Sequence, residues 1–324
     1  MSKDLEVGGW LQADFAYHGD SAEMLHRLEA ESVSLSIWSP PYHVGKGYEL
    51  GQTFANWQKM LREVISAHYR ILKPGGFCVI NINDILCFSD PEMPKIQAET
   101  ISQKRINLTK EEILDAIAEL GTRNRDILAK HFNVSEQTID RRLNGNNIRG
   151  GKYSDQTRVK EVGGLIETFG LDAGLYLYDR RIWMKDPAWA NSRWASSSYR
   201  AIDDFEYLYF LWKPGITVVD RNRLTNEEWC SWGSRGIWTI PSVRANNDHE
   251  AKFPIELPTR VIRLLTKEND LVLDPFVGSG TTMVASAALN RRVIGIDLDK
   301  KYVAMANKAF NAARNMGFQQ SLEM

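Results

Sequence analysis

The chain has 324 residues, of which 43% are apolar and 25% charged, and its formal net charge is −1. This length predicts one large α/β domain with smaller attachments, and the composition is that of an ordinary soluble protein. No stretch has the apolar run of a signal peptide or of a membrane span, so we expect a cytoplasmic protein with no membrane partner. The three cysteines, Cys78, Cys87 and Cys230, lack CxxC spacing, which argues against a disulfide framework and against a metal site.

The first two predicted strands each lead into a polar turn. Residues 11–17 predict a strand that reaches the acid of His18-Gly19-Asp20 before a short helix, and residues 33–38 predict a buried strand that leads into Ser39-Pro40-Pro41-Tyr42. Two prolines fix φ and remove two backbone donors, so the carbonyls remain as acceptors beside a hydroxyl and an aromatic ring. Such a set suits a flat substrate that carries an amino group, such as a nucleobase. By itself, the stretch is more typical of a plain proline turn than of a binding site.

A helix follows from Phe54 to about Leu72, with apolar residues at three- and four-residue spacing. It is expected to stop at Lys73-Pro74-Gly75-Gly76, and the apolar run 77–82 predicts the next strand. Strand, helix and strand at these lengths predict a right-handed parallel βαβ unit.

Residues 96–160 form a predicted helical insertion. Apolar spacing predicts three short helices, and between Gly121 and Lys160 nine basic residues stand against four acidic ones. The stretch LAKHFNVSEQTIDRRLNG resembles the helix-turn-helix of bacterial repressors, and in that resemblance Ser135 to Leu143 is the recognition helix. Its candidate DNA-binding residues are Gln137, Thr138, Arg141 and Arg142. The alternative is a three-helix insertion with a solvated basic face.

Strand and helix character returns over residues 161–220, and residues 221–252 are a candidate target-recognition region. Seven of the ten tryptophans lie between Trp183 and Trp238, interleaved with arginines. This mixture suits a surface that grips nucleic acid, although we expect at least half of these tryptophans to fill the core.

The last part of the chain carries a glycine-rich loop. An apolar strand at 271–273 leads into the loop 274–282, DPFVGSGTT, and a second strand ends at Asp297. The glycines allow close approach of a ligand, Thr281 is expected to cap the following helix, and Asp297 is placed to accept hydrogen bonds from ribose hydroxyls. The charge of Asp274 would repel a pyrophosphate but suits a cationic ligand. The loop alone fits any nucleotide-binding Rossmann-like fold.

Six motifs taken together resemble the amino-methylating DNA methyltransferases. They are HGDS at 18–21, SPPY at 39–42, LKPGG at 72–76, FPIELP at 253–258, DPFVGSGTT at 274–282 and GID at 295–297. Their order is that of the family's β group, in which the catalytic half precedes the cofactor half. The resemblance implies an α/β fold: a circularly permuted, Rossmann-like S-adenosylmethionine-dependent methyltransferase sheet with a small all-helical insertion. Residues 1–95 would then be the catalytic half, 161–220 the continuing sheet and 253–324 the cofactor half.

The resemblance also assigns roles to residues. The catalytic residues would be Ser39, Pro40, Pro41 and Tyr42, with the flipped base stacked on the aromatic ring and its amino group held by the Ser39 side chain and the following carbonyl. S-adenosylmethionine would be bound by Asp20, Phe253, Asp274, Phe276, Gly278, Gly280, Thr281 and Asp297. Asp20 would accept from the adenine amino group, and Phe253 would pack near the cofactor.

The serine at the start of SPPY favours N4 of cytosine, whereas N6 of adenine remains open. A cytosine-C5 enzyme requires a cysteine nucleophile, which usually follows a proline. None of the three cysteines follows a proline, so this class is excluded. Two further alternatives are a non-catalytic helix-turn-helix regulator and a methyltransferase of protein or RNA amides. The predicted partner is double-stranded DNA, and the resemblance leaves open a homodimer and a partner restriction endonuclease.

Overall fold

A computed structural model describes residues 9–41, 53–88, 107–144, 156–186, 201, 204–243 and 254–322. The strands are β1 (Phe15–His18), β2 (Val33–Trp38), β3 (Leu72–Ile82), β4 (Ile85–Phe88), β5 (Gln156–Lys160), β6 (Tyr176–Met184), β7 (Phe205–Trp212), β8 (Ile237–Thr239), β9 (Leu271–Asp274) and β10 (Arg292–Asp297). The helices are α1 (Ser21–Met24), α2 (Phe54–Ile71), α3 (Lys110–Leu120), α4 (Arg125–Phe132), α5 (Glu136–Asn144), α6 (Gly163–Ala173), α7 (Asn226–Glu228), α8 (Glu256–Leu265), α9 (Thr281–Ala288) and α10 (Lys300–Leu322). The chain divides into one unit of residues 1–87 and 158–324 and a second unit of residues 88–157.

Within the described ranges, eight strands of the larger unit form one sheet in the order β1-β10-β9-β2-β3-β7-β6-β8. The neighbours from β1 to β3 are all parallel, whereas β7 runs antiparallel to β3 and to β6. The expected parallel pairing of β2 with β3 around α2 is therefore present. β4 and β5 pair with each other in a separate two-stranded sheet.

The large sheet is covered on both faces. On one face, residues of α2 and α6 such as Trp57 and Ile166 pack with Leu273 of β9. On the other face, Val261 of α8 and Met283 of α9 pack with Val272 of β9. After β2 the chain continues into α2 on one face of the sheet. After the neighbouring strand β9 it continues into α9 on the other face. In α/β sheets such a switch opens a crevice at the carboxyl ends of the two strands, where ligands bind.

The segment Lys73-Pro74-Gly75-Gly76 differs from the prediction, because β3 begins at Leu72 and runs through it. The Gly75 N–H donates to the carbonyl of Lys213, and the Lys213 N–H donates to the carbonyl of Gly76, both at 3.0 Å. These bonds continue the ladder beyond β7, and Gly75 adopts the required φ of +81°. Long-range pairing therefore overrides the turn that proline and glycine predict. A smaller difference is the first strand, which was predicted over residues 11–17 and lies at Phe15–His18.

The second unit contains α3, α4 and α5, the three helices that apolar spacing predicted. They enclose a core of their own, formed by Leu108, Ile113, Ala116, Leu128, Ala129 and Ile139. Thr109 and Glu112 form a capping box at the start of α3. The small unit therefore has both an apolar centre and defined helix ends.

Several tryptophans of the region from 183 to 238 are core residues, as expected. Trp183, Trp232 and Trp238 are buried, while Trp212 and Trp229 are partly buried. Trp232 and Trp238 meet edge to face, with Arg260 lying against both rings. In the described part of the chain, no helix combines the length and apolar character needed to cross a bilayer.

Candidate active site

The SPPY turn begins directly after β2. Ser39 and Pro41 are half-buried and Pro40 is buried, while Tyr42 lies outside the described residues. The indole Nε1–H of Trp57, on α2, donates to the Pro41 carbonyl at 2.7 Å. This bond fixes the far end of the turn to the buried face of a long helix.

Polar side chains are buried beneath the same turn. His68 of α2 is fully buried, and its Nδ1 lies 2.6 Å from the Val64 carbonyl and its Nε2 2.8 Å from the Ser36 hydroxyl. Because a carbonyl can only accept, Nδ1 carries the proton and Nε2 accepts from Ser36. Burial lowers the pKa of His68 to about 4, so the ring is neutral and stacks at 5.8 Å on Trp38. The Trp38 indole N–H in turn points at the Cys78 thiol, 3.2 Å away. Sequence reasoning gave none of these side chains a part in the site.

Asp274 is the last residue of β9, which pairs with β2. Leu273 pairs with Ser36, so Asp274 lies one residue beyond that pair and Ser39 three residues beyond it, at the same edge of the sheet. The carboxyl is buried, and Phe276 N–H donates to its Oδ1 at 3.0 Å. Burial raises the pKa of Asp274 to about 7, the nearby Thr282 hydroxyl and the Phe276 N–H lower it, and the Asp297 charge raises it.

The glycine loop is tied to the end of β10. Both Asp297 oxygens accept backbone N–H groups, Oδ2 from Gly278 at 2.9 Å and Oδ1 from Asp299 at 2.8 Å. Gly280 has φ +93°, and a Cβ there would lie 2.7 Å from Ala306 Cα, so only glycine fits. The prediction that Thr281 caps α9 is wrong: Thr281 is the first helical residue and Gly280 occupies the cap position without a side-chain bond.

Asp20 reaches the same edge from β1. The Gly19 N–H donates to the Asp297 carbonyl at 3.0 Å, which places the two turns side by side. Asp20 is exposed and caps α1, accepting from the Ala22 N–H at 2.8 Å. The neighbouring Ser21 hydroxyl donates to the Pro275 carbonyl and joins this turn to the glycine loop.

The end of β2, directly before the SPPY turn, contacts the glycine loop. The ring of Trp38, which precedes Ser39, lies 5.3 Å from the ring of Phe276. The structure thus brings Asp20, Ser39, Pro40, Pro41, Asp274, Phe276, Gly278, Gly280, Thr281 and Asp297 to one edge of the sheet. Phe253 lies outside the described residues, and the four predicted DNA-binding residues belong to α5 of the second unit.

The donor chemistry of this edge suits a cationic nucleoside. A buried carboxyl at the end of β9 and a second carboxylate at the end of β10 flank the crevice. A positive charge on a ligand favours the ionised form of a buried acid, whereas the negative charges of a pyrophosphate would be repelled by the two acids. S-adenosylmethionine carries ribose hydroxyls, an ammonium and a sulfonium, and it fits this set.

A model of the family described as DNA methylase, which spans N6 and N4 amino-methylating enzymes, matches residues 33–308. The chain belongs to the DNA methylase family. The match includes the SPPY turn, the second unit and the glycine loop. The protein is therefore a DNA methyltransferase of the amino-methylating class, and its methyl donor is S-adenosylmethionine.

The relatives agree with this assignment. Over 309 residues the methyltransferase is 57% identical to the Type II methyltransferase M.BglI of Bacillus subtilis, covering 94% of this chain and 89% of that one. Its fold is similar to that of a Thermus thermophilus protein described as a DNA modification methylase and complexed with S-adenosyl-L-methionine, with a TM-score of 0.58, 23% identity and coverage of 92% and 93%. It is also similar to PvuII DNA methyltransferase (cytosine-N4-specific), with a TM-score of 0.59, 17% identity and coverage of 95% and 93%. The predicted Rossmann-like methyltransferase fold is confirmed.

Proposed function

We propose that this methyltransferase transfers the methyl group to N4 of cytosine in double-stranded DNA. The observation that carries the proposal is the contact between Trp38, the residue before the SPPY turn, and Phe276 of the DPF loop. In this proposal the turn binds the amine and the neighbouring loop binds the cationic cofactor. The choice of cytosine over adenine rests on the serine that begins the SPPY motif.

The exocyclic amine of a base is a poor nucleophile because its lone pair is delocalised into the ring. The Ser39 hydroxyl and the Pro40 carbonyl would accept its two N–H bonds and favour a pyramidal nitrogen with its lone pair free for attack. Trp57 engages the carbonyl of Pro41, not that of Pro40. Tyr42 would stack on the flipped base.

The cofactor residues have complementary roles in this proposal. S-adenosylmethionine supplies an electrophilic methyl group on a sulfonium. Asp297, held by two backbone N–H groups, would accept from the ribose hydroxyls, and Asp20 would accept from the adenine amino group. Asp274 would lie near the positive charge, and Phe276 with Phe253 would pack against the cofactor. Gly278 and Gly280 would keep the loop backbone close to it, with Thr281 opening α9.

The biological partners are part of the same proposal. The 57% identity to a Type II methyltransferase favours a role beside a partner restriction endonuclease with the same target site. Whether two copies of the chain pair is a separate question, which sedimentation of the purified protein with and without DNA would answer.

Nucleoside analysis tests the base assignment. The protein is incubated with DNA and S-adenosylmethionine carrying an isotopically labelled methyl group, and the DNA is then hydrolysed to nucleosides and separated by mass. Labelled N4-methyl-2′-deoxycytidine is expected. Labelled N6-methyl-2′-deoxyadenosine would overturn the choice of base, and bound cofactor without any labelled nucleoside would favour the non-catalytic regulator.

A further inference from the structure

The surface formed by α4, α5 and the turn between them has no part in the active site described above. α4 ends at Phe132 and α5 begins at Glu136, so three residues separate the helices. Asn133 adopts a left-handed φ of +49°, and the Val134 N–H donates to the Ala129 carbonyl at 2.9 Å. Two helices joined by a tight three-residue turn are the framework of DNA-binding helix-turn-helix units.

Side-chain contacts hold α5 firmly in this unit. Its buried face is Ile139, with Leu143 partly buried one turn later. Ser135 caps the helix, its Oγ accepting from the Thr138 N–H at 3.2 Å, and Arg125 of α4 pairs with Asp140 of α5 at 3.1 Å. The helix is therefore oriented by packing, a cap and an ion pair before any ligand arrives.

Charge differs between the two sides of the unit. α3 carries Glu111, Glu112, Asp115 and Glu119 against a single Lys110. From residue 121 to 144, five basic residues stand against three acidic ones, and the ion pairs Lys130–Asp126 and Arg125–Asp140 occupy two acids. Arg141 and Arg142 are both exposed near the end of α5. α5 itself carries two acids and two arginines, and one of the acids, Asp140, is paired with Arg125 of α4. The two exposed arginines near its end therefore suit an anionic partner with a groove.

We propose that the exposed side of α5 is a second DNA-contacting surface of this methyltransferase and lies in the major groove of the substrate duplex. Arg141 is its leading contact, and Thr138, Arg142 and Gln137 are further members of the same helix. The side chain of Gln137 lies outside the described residues. The proposal rests on the protein's action on DNA and not on which base it methylates.

Binding of the full-length protein to a mixed-sequence DNA duplex at several salt concentrations tests the proposal. Arg141→Ala is expected to weaken binding about tenfold and to reduce the slope of log affinity against log salt by about one. Lys110→Ala, which removes one exposed positive charge from the acidic helix α3, is the matched control and should leave both quantities unchanged. Cofactor binding of each variant, measured by calorimetry, reports that the fold is intact.

A second readout separates this surface from the catalytic turn. At saturating cofactor, Arg141→Ala should raise the KM for DNA while kcat stays near that of the parent protein. Arg141→Lys keeps the charge but loses the planar fork, so it should restore the salt slope. Unchanged affinity and salt slope in both Arg141→Ala and the charge-reversing Arg141→Glu would overturn the proposal, whichever base carries the methyl group.

Discussion

At the scale of single residues, Asp274 is the side chain whose chemistry is furthest from that of an ordinary aspartate. It is buried at the end of β9, and its pKa is raised from 3.8 to about 7, mainly by burial. The folded protein therefore holds a proton that the unfolded chain releases near pH 4. The stabilising effect is complete below pH 4 and is lost as the pH rises through 7.

Asp274→Asn should remove this pH dependence, because the amide can still accept from the Phe276 N–H but cannot ionise. Between about pH 5 and pH 8, the free energy of unfolding of the parent protein should fall relative to that of Asp274→Asn by about 2 to 3 kcal/mol. Urea denaturation without cofactor at the two pH values measures the difference.

Glu167→Gln is the control for Asp274→Asn, since Glu167 is an exposed acid on α6. It should follow the parent protein at both pH values. Parallel stability curves for the parent and Asp274→Asn would show that Asp274 is ionised in the folded state throughout this range.

At the scale of elements, α2 controls the geometry of the SPPY turn. Trp57 is fully buried, stacks on Phe54 with ring centroids 5.5 Å apart, and donates to the Pro41 carbonyl. Lys160 of β5 lies 3.7 Å from the Phe54 ring centroid, on the ring next to Trp57. The turn is thus attached to a helix that packs on the sheet, and its carbonyl directions depend on that attachment.

Trp57→Phe keeps an aromatic ring but removes the donor. We expect a stability loss of about 1 kcal/mol from the bond, more if the smaller ring leaves a cavity, together with a lower kcat for methyl transfer and an unchanged dissociation constant for S-adenosylmethionine. Steady-state kinetics and calorimetry measure the two effects separately. Trp10→Phe, at an exposed indole, is the control. If Trp57→Phe lowered cofactor affinity and left kcat intact, α2 would support the cofactor loop and not the turn.

Elements were predictable where a local pattern agrees with the tertiary structure. The buried strands β2, β9 and β10, the amphipathic helix α2 and the three helices of the second unit follow from apolar spacing alone. β3 was predicted too short because the bonds that extend it come from Lys213, more than a hundred residues away. β8 has three residues and is defined by its pairing with β6, so no local pattern predicts it.

The site residues also divide into those that a local sequence pattern predicts and those that depend on tertiary contacts. The six motifs named the residues at the carboxyl ends of the strands, because a turn that contacts a ligand carries its chemistry in a few adjacent side chains. The supporting residues Trp57 and His68 were missed, since each acts through a bond to a segment distant in sequence. His68 and Trp57 are typical buried members of a helix pattern, and only the fold reveals what their polar atoms contact.

At the scale of the whole molecule, the site is formed at a junction between two parts of the chain that are far apart in sequence. β2 and β9 are neighbours in the sheet although more than two hundred residues separate them. The turn that we propose to bind the amine follows one strand, and the loop that we propose to bind the cationic cofactor follows the other. Sequence order alone gave no reason for this adjacency, and the resemblance to a permuted family supplied it.

Ser39 is proposed to act on the amine and not on the cofactor. The rate constant of methyl transfer for Ser39→Ala at saturating DNA and S-adenosylmethionine tests this role. Loss of an oriented acceptor should slow transfer about a hundredfold or more, while the dissociation constant of the cofactor stays that of the parent protein. Ser32→Ala, at a half-buried serine just before the same strand, should transfer at the parent rate. A parental rate in Ser39→Ala would contradict the account.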